Sequence, residues 1–434
     1  MIVCEVFIVE ETERKSLKQN LGLWSATAIN IGAIIGGGIF VVTGLVAGVA
    51  GSALVISMVI AASIAFLTAL SFTRLTAWQP VEGSGYEYVR QLVAPSAGFL
   101  SGWMWIIANT FGGAAVSLGF AYYLSEAVPG LPVKIVAALM CLAFAGLNFI
   151  GTRQSAMLNN ALVVIKIAVL GFFVVFGLTS VNASNLTPFE PFSSGVLFGA
   201  YFIFFAYGGF ARATIIAEEV KDPKRNVPRA VLLSLAISTL VYIIVGFVAV
   251  GLVGSSALAA SNSPLTFAIS ATGSPVAVQI VSFGGLVATA SVLLTAILGV
   301  SRMAFSMGRR RDLPQPLSFV SSKFGTPYVA IWVIGIAMAL LALFFDLTGI
   351  VVVSTFALLF WYALTNMAAL KLGQQNRARY KLLPAIGFGA CLVLLAAVLF
   401  LEPVAWIAGV ACLMMGAILY MLRAAFRKSR IHQS

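Results

Sequence analysis

Residues 30–40 read NIGAIIGGGIF, and residues 204–210 read FFAYGGF. Each string stands inside an apolar run long enough to cross a bilayer. Each also places glycines where a straight helix is weakest: Gly32, Gly36, Gly37 and Gly38 in the first, Gly208 and Gly209 in the second. A glycine in a helix interior costs about 1 kcal/mol relative to alanine, so both spans are expected to break. Counting about 1.5 Å per residue inward from Leu23 and from Ser194 brings the two clusters to a similar depth near the bilayer midplane. Small residues that let helices pack closely would explain one such cluster. Two at matching depth favour paired discontinuous helices, which leave backbone N–H and C=O groups free to hold a small molecule.

The rest of the chain agrees with a membrane setting. Of its 434 residues 61% are hydrophobic and only 9% charged, with a mean hydropathy of +1.03; a soluble domain carries about a quarter charged residues. Apolar runs bounded by charges, Gly, Pro and Asn place about twelve transmembrane helices. They fall at about 21–49, 52–73, 98–125, 132–150, 157–180, 194–218, 229–253, 276–307, 326–345, 348–371, 381–401 and 404–424. With that count, alternate loops divide by charge. One side collects Arg14, Lys15, Lys18, Arg74, Arg90, Arg153, the basic residues from Lys221 to Arg229, Arg302, Arg309 to Arg311, Lys323, Lys371 to Lys381 and Arg423 to Arg430. The other keeps Lys134 with Glu126, Glu190, Asp346 and Glu402. The positive-inside rule then puts both termini in the cytoplasm. The second break comes five helices after the first, and an odd spacing gives the two five-helix halves opposite orientations, as in an inverted repeat.

Several function classes are disfavoured. The net charge of +12 comes from basic residues spread over short connectors, with no groove-lining cluster, so no nucleic-acid partner is expected. The single histidine, His432, lies in the basic tail, and of the four cysteines, Cys4, Cys141, Cys391 and Cys412, the last three sit in apolar runs without CxxC pairing or metal-ligand spacing. No GK[ST] follows Gly36–Gly38, so the run is not a phosphate loop. No metal or other cofactor is expected, and no paired carboxylates or channel filter motif suggest an enzyme or a channel. Glu5 to Lys18 precede the first apolar run, which excludes a cleavable signal there.

At the first break, amides of Ile34, Gly37 and Gly38 are placed to meet a carboxylate. At the second, carbonyls of Phe205, Ala206 and Gly208 are placed to meet an ammonium. Lys166, in VVIKIAVLGFF about ten residues into the fifth span, has no acidic residue on its own helix. A cation at that depth costs about 2.5–3.5 kcal/mol on insertion scales, so a lysine able to shed its proton there is a candidate coupling group. Protonated, it would tie its helix to the freed carbonyls of Gly32 and Ile35; deprotonated, it would release them and shift the balance of states. Arg212 either pairs with Glu218 or Glu219, snorkels to the interface, or lines the exit path. Asn109 either lines the cavity or bonds helix to helix. Phe205, Tyr207 and Phe210 are candidates for an aromatic lid, with Phe205 as the gate.

Five segments carry a family resemblance: LGLWSATAINIGAIIGGGIF (21–40), PVEGSGYEYVRQLVAPSAGFLSGW (80–103), LNFIGTRQSAMLNNALVVIK (147–166), FFAYGGFARATIIAEEVKDPKRNVPRA (204–230) and SRMAFSMGRRRDLP (301–314). In these the chain resembles amino-acid permeases of the amino acid-polyamine-organocation superfamily over roughly residues 17–425. The AEEVKDPKRNVPRA connector, whose two prolines are expected to end one helix and open the next, is especially characteristic. The resemblance implies an all-α integral membrane fold with a LeuT-type five-plus-five inverted repeat and two further C-terminal helices. The divisions are a cytoplasmic tail at 1–20, a first repeat at 21–180, a second at 194–371, two additional helices at 381–424 and a basic tail at 425–434. Carried onto matching positions, it implies a carboxylate site at Ile34, Gly37 and Gly38, an amine site at Phe205, Ala206 and Gly208, a gate at Phe205, and the lysine of proton-coupled members at Lys166, which speaks against sodium.

Two positions depart from the pattern. Ser84 stands for a glycine in the PxxGGxY stretch, read as a tolerated small residue. Ala211 stands where some acid-resistance exchangers carry a glutamate. The expected function is plasma-membrane uptake of a neutral amino acid by alternating access, coupled to protons, since no acidic residue is placed to meet a cationic side chain. An amino-acid or polyamine exchanger without net proton coupling is the alternative. The expected partners are the small-molecule amino acid, protons and the lipid bilayer. No outer loop carries a cysteine for a covalently attached light subunit.

Overall fold

A computed structural model describes residues 21–431 except 82, 216, 218, 219, 377–380 and 402. Seventeen α-helices follow one another among the described residues: α1 Leu23–Ile34, α2 Thr43–Ala50, α3 Leu54–Trp78, α4 Gly85–Leu92, α5 Pro95–Ala127, α6 Val133–Ile150, α7 Thr152–Leu178, α8 Ser194–Phe204, α9 Arg212–Ile215, α10 Pro223–Val253, α11 Ser255–Ala259, α12 Pro264–Ser270, α13 Pro275–Arg309, α14 Tyr328–Phe344, α15 Leu347–Asn376, α16 Leu382–Leu401 and α17 Pro403–Ile431. Among the described residues extended pairing is limited to one isolated bridge, Leu21 to Val220. Eight stretches among the described residues are long and apolar enough to cross a membrane, the first of them the 56 residues Leu23–Trp78 that include the turn at Gly51; three shorter apolar helices join them at Ser194–Tyr207, Tyr328–Phe344 and Leu382–Ala397. The outer surface is apolar: Leu139, Val164, Val175, Leu340, Val393 and Ile407 are all exposed, as suits side chains that face lipid.

Both expected breaks are present. Helix α1 ends at Ile34, Ile35 is extended (φ −74°, ψ 108°), and the chain resumes helically at Gly38 through a π-turn to Val42 that runs on into α2. Helix α8 ends at Phe204, passes through a 3₁₀ turn at Phe205–Tyr207, and restarts as α9 at Arg212. Packing around the breaks is reciprocal. Helix α1 lies on α10 while α8 lies on α3; α5 lies on α15 while α13 lies on α7; and α3 with α10, α5 with α13, and α6 with α14 close the set.

Three local expectations are corrected. The connector before α10 is shorter than expected because Pro223 opens that helix and Pro228 lies inside it. A proline in the first turn forfeits an N–H that has no intrahelical acceptor anyway, so Lys224, Arg225 and Arg229 sit on the helix. Helix α4 falls within a segment expected as a plain connector; its Tyr86, Tyr88 and Val89 are buried, and the i, i+3, i+7 spacing of Tyr86, Val89 and Val93 is the sequence signal for it. Ser84 is more than a small residue. Its φ of 43° and ψ of −117° are those of the first corner of a II′ turn, where glycine is the ordinary occupant. Its Oγ lies 2.7 Å from Thr214 Oγ1 on α9, tying this turn to the far side of the second break.

The α4 end of the bundle is closed by charge. Buried Asp312, just beyond α13, accepts from Tyr86 Oη, pairs with Arg90 at 3.0 Å and also pairs with Arg423 of α17; Arg310 pairs with Glu87 alongside. Helix α17 continues to Ile431, past the end expected near residue 424. The tail at 1–20 and the residues 432–434 lie outside the described residues.

Candidate functional site

Glycine lets the two breaks touch. A Cβ on Gly209 would lie 2.3–2.5 Å from backbone atoms of Ala33 and Ile34, and one on Gly38 would lie 2.2 Å from Ala206 Cβ. Gly36 and Gly37 are likewise packed against Val292 and Val116. Close packing and an open backbone, weighed as alternatives from sequence, therefore occur together. The helix that restarts at Gly38 has first-turn N–H groups with no intrahelical acceptor. Asn30 Oδ1 accepts from Ala213 N at 2.8 Å, so a side chain of α1 caps the restart of α9.

A cavity of about 50 Å³ opens between the breaks and the helices α5, α13 and α15, more than the about 10–15 Å³ that a single water needs. Ile34, Gly37, Gly38, Phe205, Ala206, Gly208, Asn109 and Arg212 all line it. Val116, Val292, Ala296, Ser354 and Leu358 complete the wall opposite the breaks. Sequence reasoning did not name these, because they come from helices without local punctuation. Of the three aromatic lid candidates, Phe205 lines the cavity, while the other two turn away from it. Tyr207 packs edge-on against Tyr242, and Phe210 stacks on Tyr362 at 5.0 Å.

Freed carbonyls are partly satisfied by tyrosines that the sequence reading missed. Tyr242 Oη of α10 lies 2.6 Å from Ile34 O and 3.2 Å from Ala206 O, so one hydroxyl bridges the two breaks. Tyr123 donates to Phe40 O at 2.5 Å and Tyr362 to Gly208 O at 3.3 Å. A tyrosine in the middle of an apolar span was the available signal, since its hydroxyl must find a partner in a lipid setting. Tyr242→Phe is expected to lower stability by about 1–3 kcal/mol, the cost of stranding a buried acceptor, read by chemical unfolding of the purified protein. An unchanged midpoint would show that the bridge carries no load.

Lys166 is 0% exposed. Its Nζ donates to Gly32 O at 2.7 Å and to Ser291 Oγ at 3.1 Å, joining α7 to α1 and α13. The second partner is thus a hydroxyl where sequence reasoning named the Ile35 carbonyl. Arg212 Nη2 donates to Asn109 Oδ1 at 2.7 Å, and Asn109 Nδ2 donates to Trp105 O at 2.9 Å. Both therefore line the cavity and bond between or along helices at once. Glu218 and Glu219, the expected partners of Arg212, lie outside the described residues. Among the described residues no group of three His, Cys, Asp or Glu is arranged to hold a metal ion.

A family model described as amino acid permease matches residues 21–426. The chain belongs to the amino acid permease family. The permease is 35% identical over 410 residues to an uncharacterised transporter of Mycobacterium tuberculosis, covering 94% of this chain and 92% of the relative. It is 32% identical to a branched-chain amino acid permease of Bacillus subtilis over 355 residues, 77% of this chain and 76% of that one. It is 29% identical to a methylthioribose transporter of the same organism over 95% of each chain. The resemblance read from the five segments is thereby established across nearly the whole permease.

Proposed function

We propose that this permease takes up neutral amino acids across the plasma membrane by alternating access, driven by protons. Its chain makes twelve passes, as a five-plus-five inverted repeat followed by two further helices, with both termini cytoplasmic. The reciprocal packing of α1 on α10 and α8 on α3 supports the repeat. The observation that carries the functional reading is the convergence of both breaks on one cavity. There the substrate carboxylate meets the amides at Ile34, Gly37 and Gly38, its ammonium meets the carbonyls of Phe205, Ala206 and Gly208, and Phe205 closes over it. Lys166, bonded to Gly32 beside the first break, is the proton-coupling group.

Among relatives, the name of the branched-chain permease supports a neutral amino acid, whereas methylthioribose in another name shows that the family does not by itself select the cargo. One observation favours the exchanger alternative: Lys166 is sealed from water and already holds two bonds, as a static brace would. The deciding measurement is uptake of labelled amino acids into proteoliposomes with and without an inward proton gradient. Accumulation that needs the gradient is expected. Uptake that needs only amino acid on the opposite side would replace this reading with the exchanger.

A further inference from the structure

Arg212 stands just past the second break and lines the cavity. Its place is built by three neighbours. Asn109 accepts from Nη2, the Trp105 ring lies 5.2 Å from Cζ, and the missing side chain of Gly299 makes room for Nη1, which would lie 2.0 Å from a Cβ there. Among the described residues no carboxylate pairs with it, and Nε and Nη1 have no hydrogen-bond partner. A guanidinium offers five N–H donors in a planar fork suited to two oxygens of one group. A cation held at the edge of a membrane cavity with no acid beside it among the described residues is costly, and the occupant of the cavity is what can meet it.

On the amino-acid reading above, the main-chain ends of the substrate are held at the breaks. Its side chain then extends over α5, α13 and α15 towards Arg212. We infer that Arg212, oriented by Asn109, is the specificity residue of the cavity, selecting amino acids whose side chain ends in a planar oxygen acceptor: a carboxamide, which keeps the substrate neutral, or a carboxylate, which would replace the neutral substrate by an acidic one. The fork bonds the acceptor through groups that otherwise stay unpaired, so an apolar side chain of equal size gains less. A cationic side chain meets like charge and is rejected.

The test reads binding as the concentration of each amino acid that half-saturates the rise in melting temperature of the purified full-length protein. All twenty amino acids are screened, and glutamine, glutamate, methionine, leucine and lysine are titrated and compared. Glutamine or glutamate is expected to bind at least about tenfold more tightly than methionine, with lysine weakest; whichever of the two leads identifies the carboxamide or the carboxylate. In Asn109→Asp, an isosteric change that hands Arg212 an internal acid, the ratio of glutamine to methionine affinity is expected to collapse by about tenfold, and likewise in Arg212→Leu. Methionine or leucine binding as tightly as both acceptors in the wild type would overturn the inference while leaving the amino-acid reading intact. Equal weakening of every ligand in both variants would overturn it too, making Arg212 a brace. If none of the twenty amino acids raises the melting temperature, the amino-acid reading falls and takes this inference with it.

Discussion

Gly209→Ala is expected to leave almost no correctly folded permease. The added methyl would stand 2.3–2.5 Å from main-chain atoms of Ala33 and Ile34, far inside contact distance, and main chain cannot rotate away as a side-chain tip can. Either α1 or the stretch before α9 has to shift, and that shift pulls on Asn30 and its bond to Ala213 and on Tyr242 at Ile34 and Ala206. Overpacking a core costs about 1–3 kcal/mol where side chains can adjust; against main chain we expect more than about 3 kcal/mol, enough to unfold a marginally stable protein. The measurement is the monodisperse fraction and melting temperature of detergent-solubilised protein. Gly389→Ala is the control. It lies in α16 with nothing within 4 Å of the added carbon, so relief of glycine's helix penalty is expected to leave stability equal or higher by up to about 1 kcal/mol. Similar losses in both variants would show that Gly209 is not a close-approach point.

Lys166→Ala and the better-filling Lys166→Met are expected to abolish gradient-driven accumulation, by at least about tenfold, while exchange of substrate across the membrane survives. Removing the ammonium removes the tie from α7 to Gly32 and Ser291, so a proton can no longer alter how the first break is held. The two access states then interconvert under substrate alone. The dependence of uptake on external pH should flatten in both variants. Exchange that is independent of the gradient and identical in variants and wild type would remove Lys166 from the coupling mechanism and leave it a structural brace. Using methionine separates loss of charge from loss of volume, because a cavity at a fully buried position destabilises by itself.

The apolar helices were legible because lipid enforces a simple code. Long apolar runs bounded by charges, Gly and Pro mark them, and the glycines of 30–40 and 204–210 mark the interruptions within two of them. The same glycines named one wall of the cavity. The opposite wall was illegible since Ala296, Ser354 and Leu358 look like any other small or apolar residues of a packed span; only the crossing of α5, α13 and α15 assigns them to it. Tyr242 illustrates the limit well. Its residue type announced that a partner was needed, but that partner is a carbonyl 208 positions away, exposed by a break in another helix. Ser84 shows the converse error. A positive φ leaves no trace in composition, and the serine standing at a glycine position of the PxxGGxY pattern was the one visible clue.

The carboxylate of Asp312 gathers Tyr86 and Arg90 of α4 and Arg423 of α17, residues from two distant stretches of the chain. A nascent permease that has been synthesised just past α13 already holds Tyr86, Arg90 and Asp312, yet Arg423 arrives only with α17. Until then the α4 end of the bundle is fastened by two of its three partners. Helix α17 therefore completes a fastening begun by α4, and chains released before residue 423 would carry the whole cavity with that end incompletely fastened.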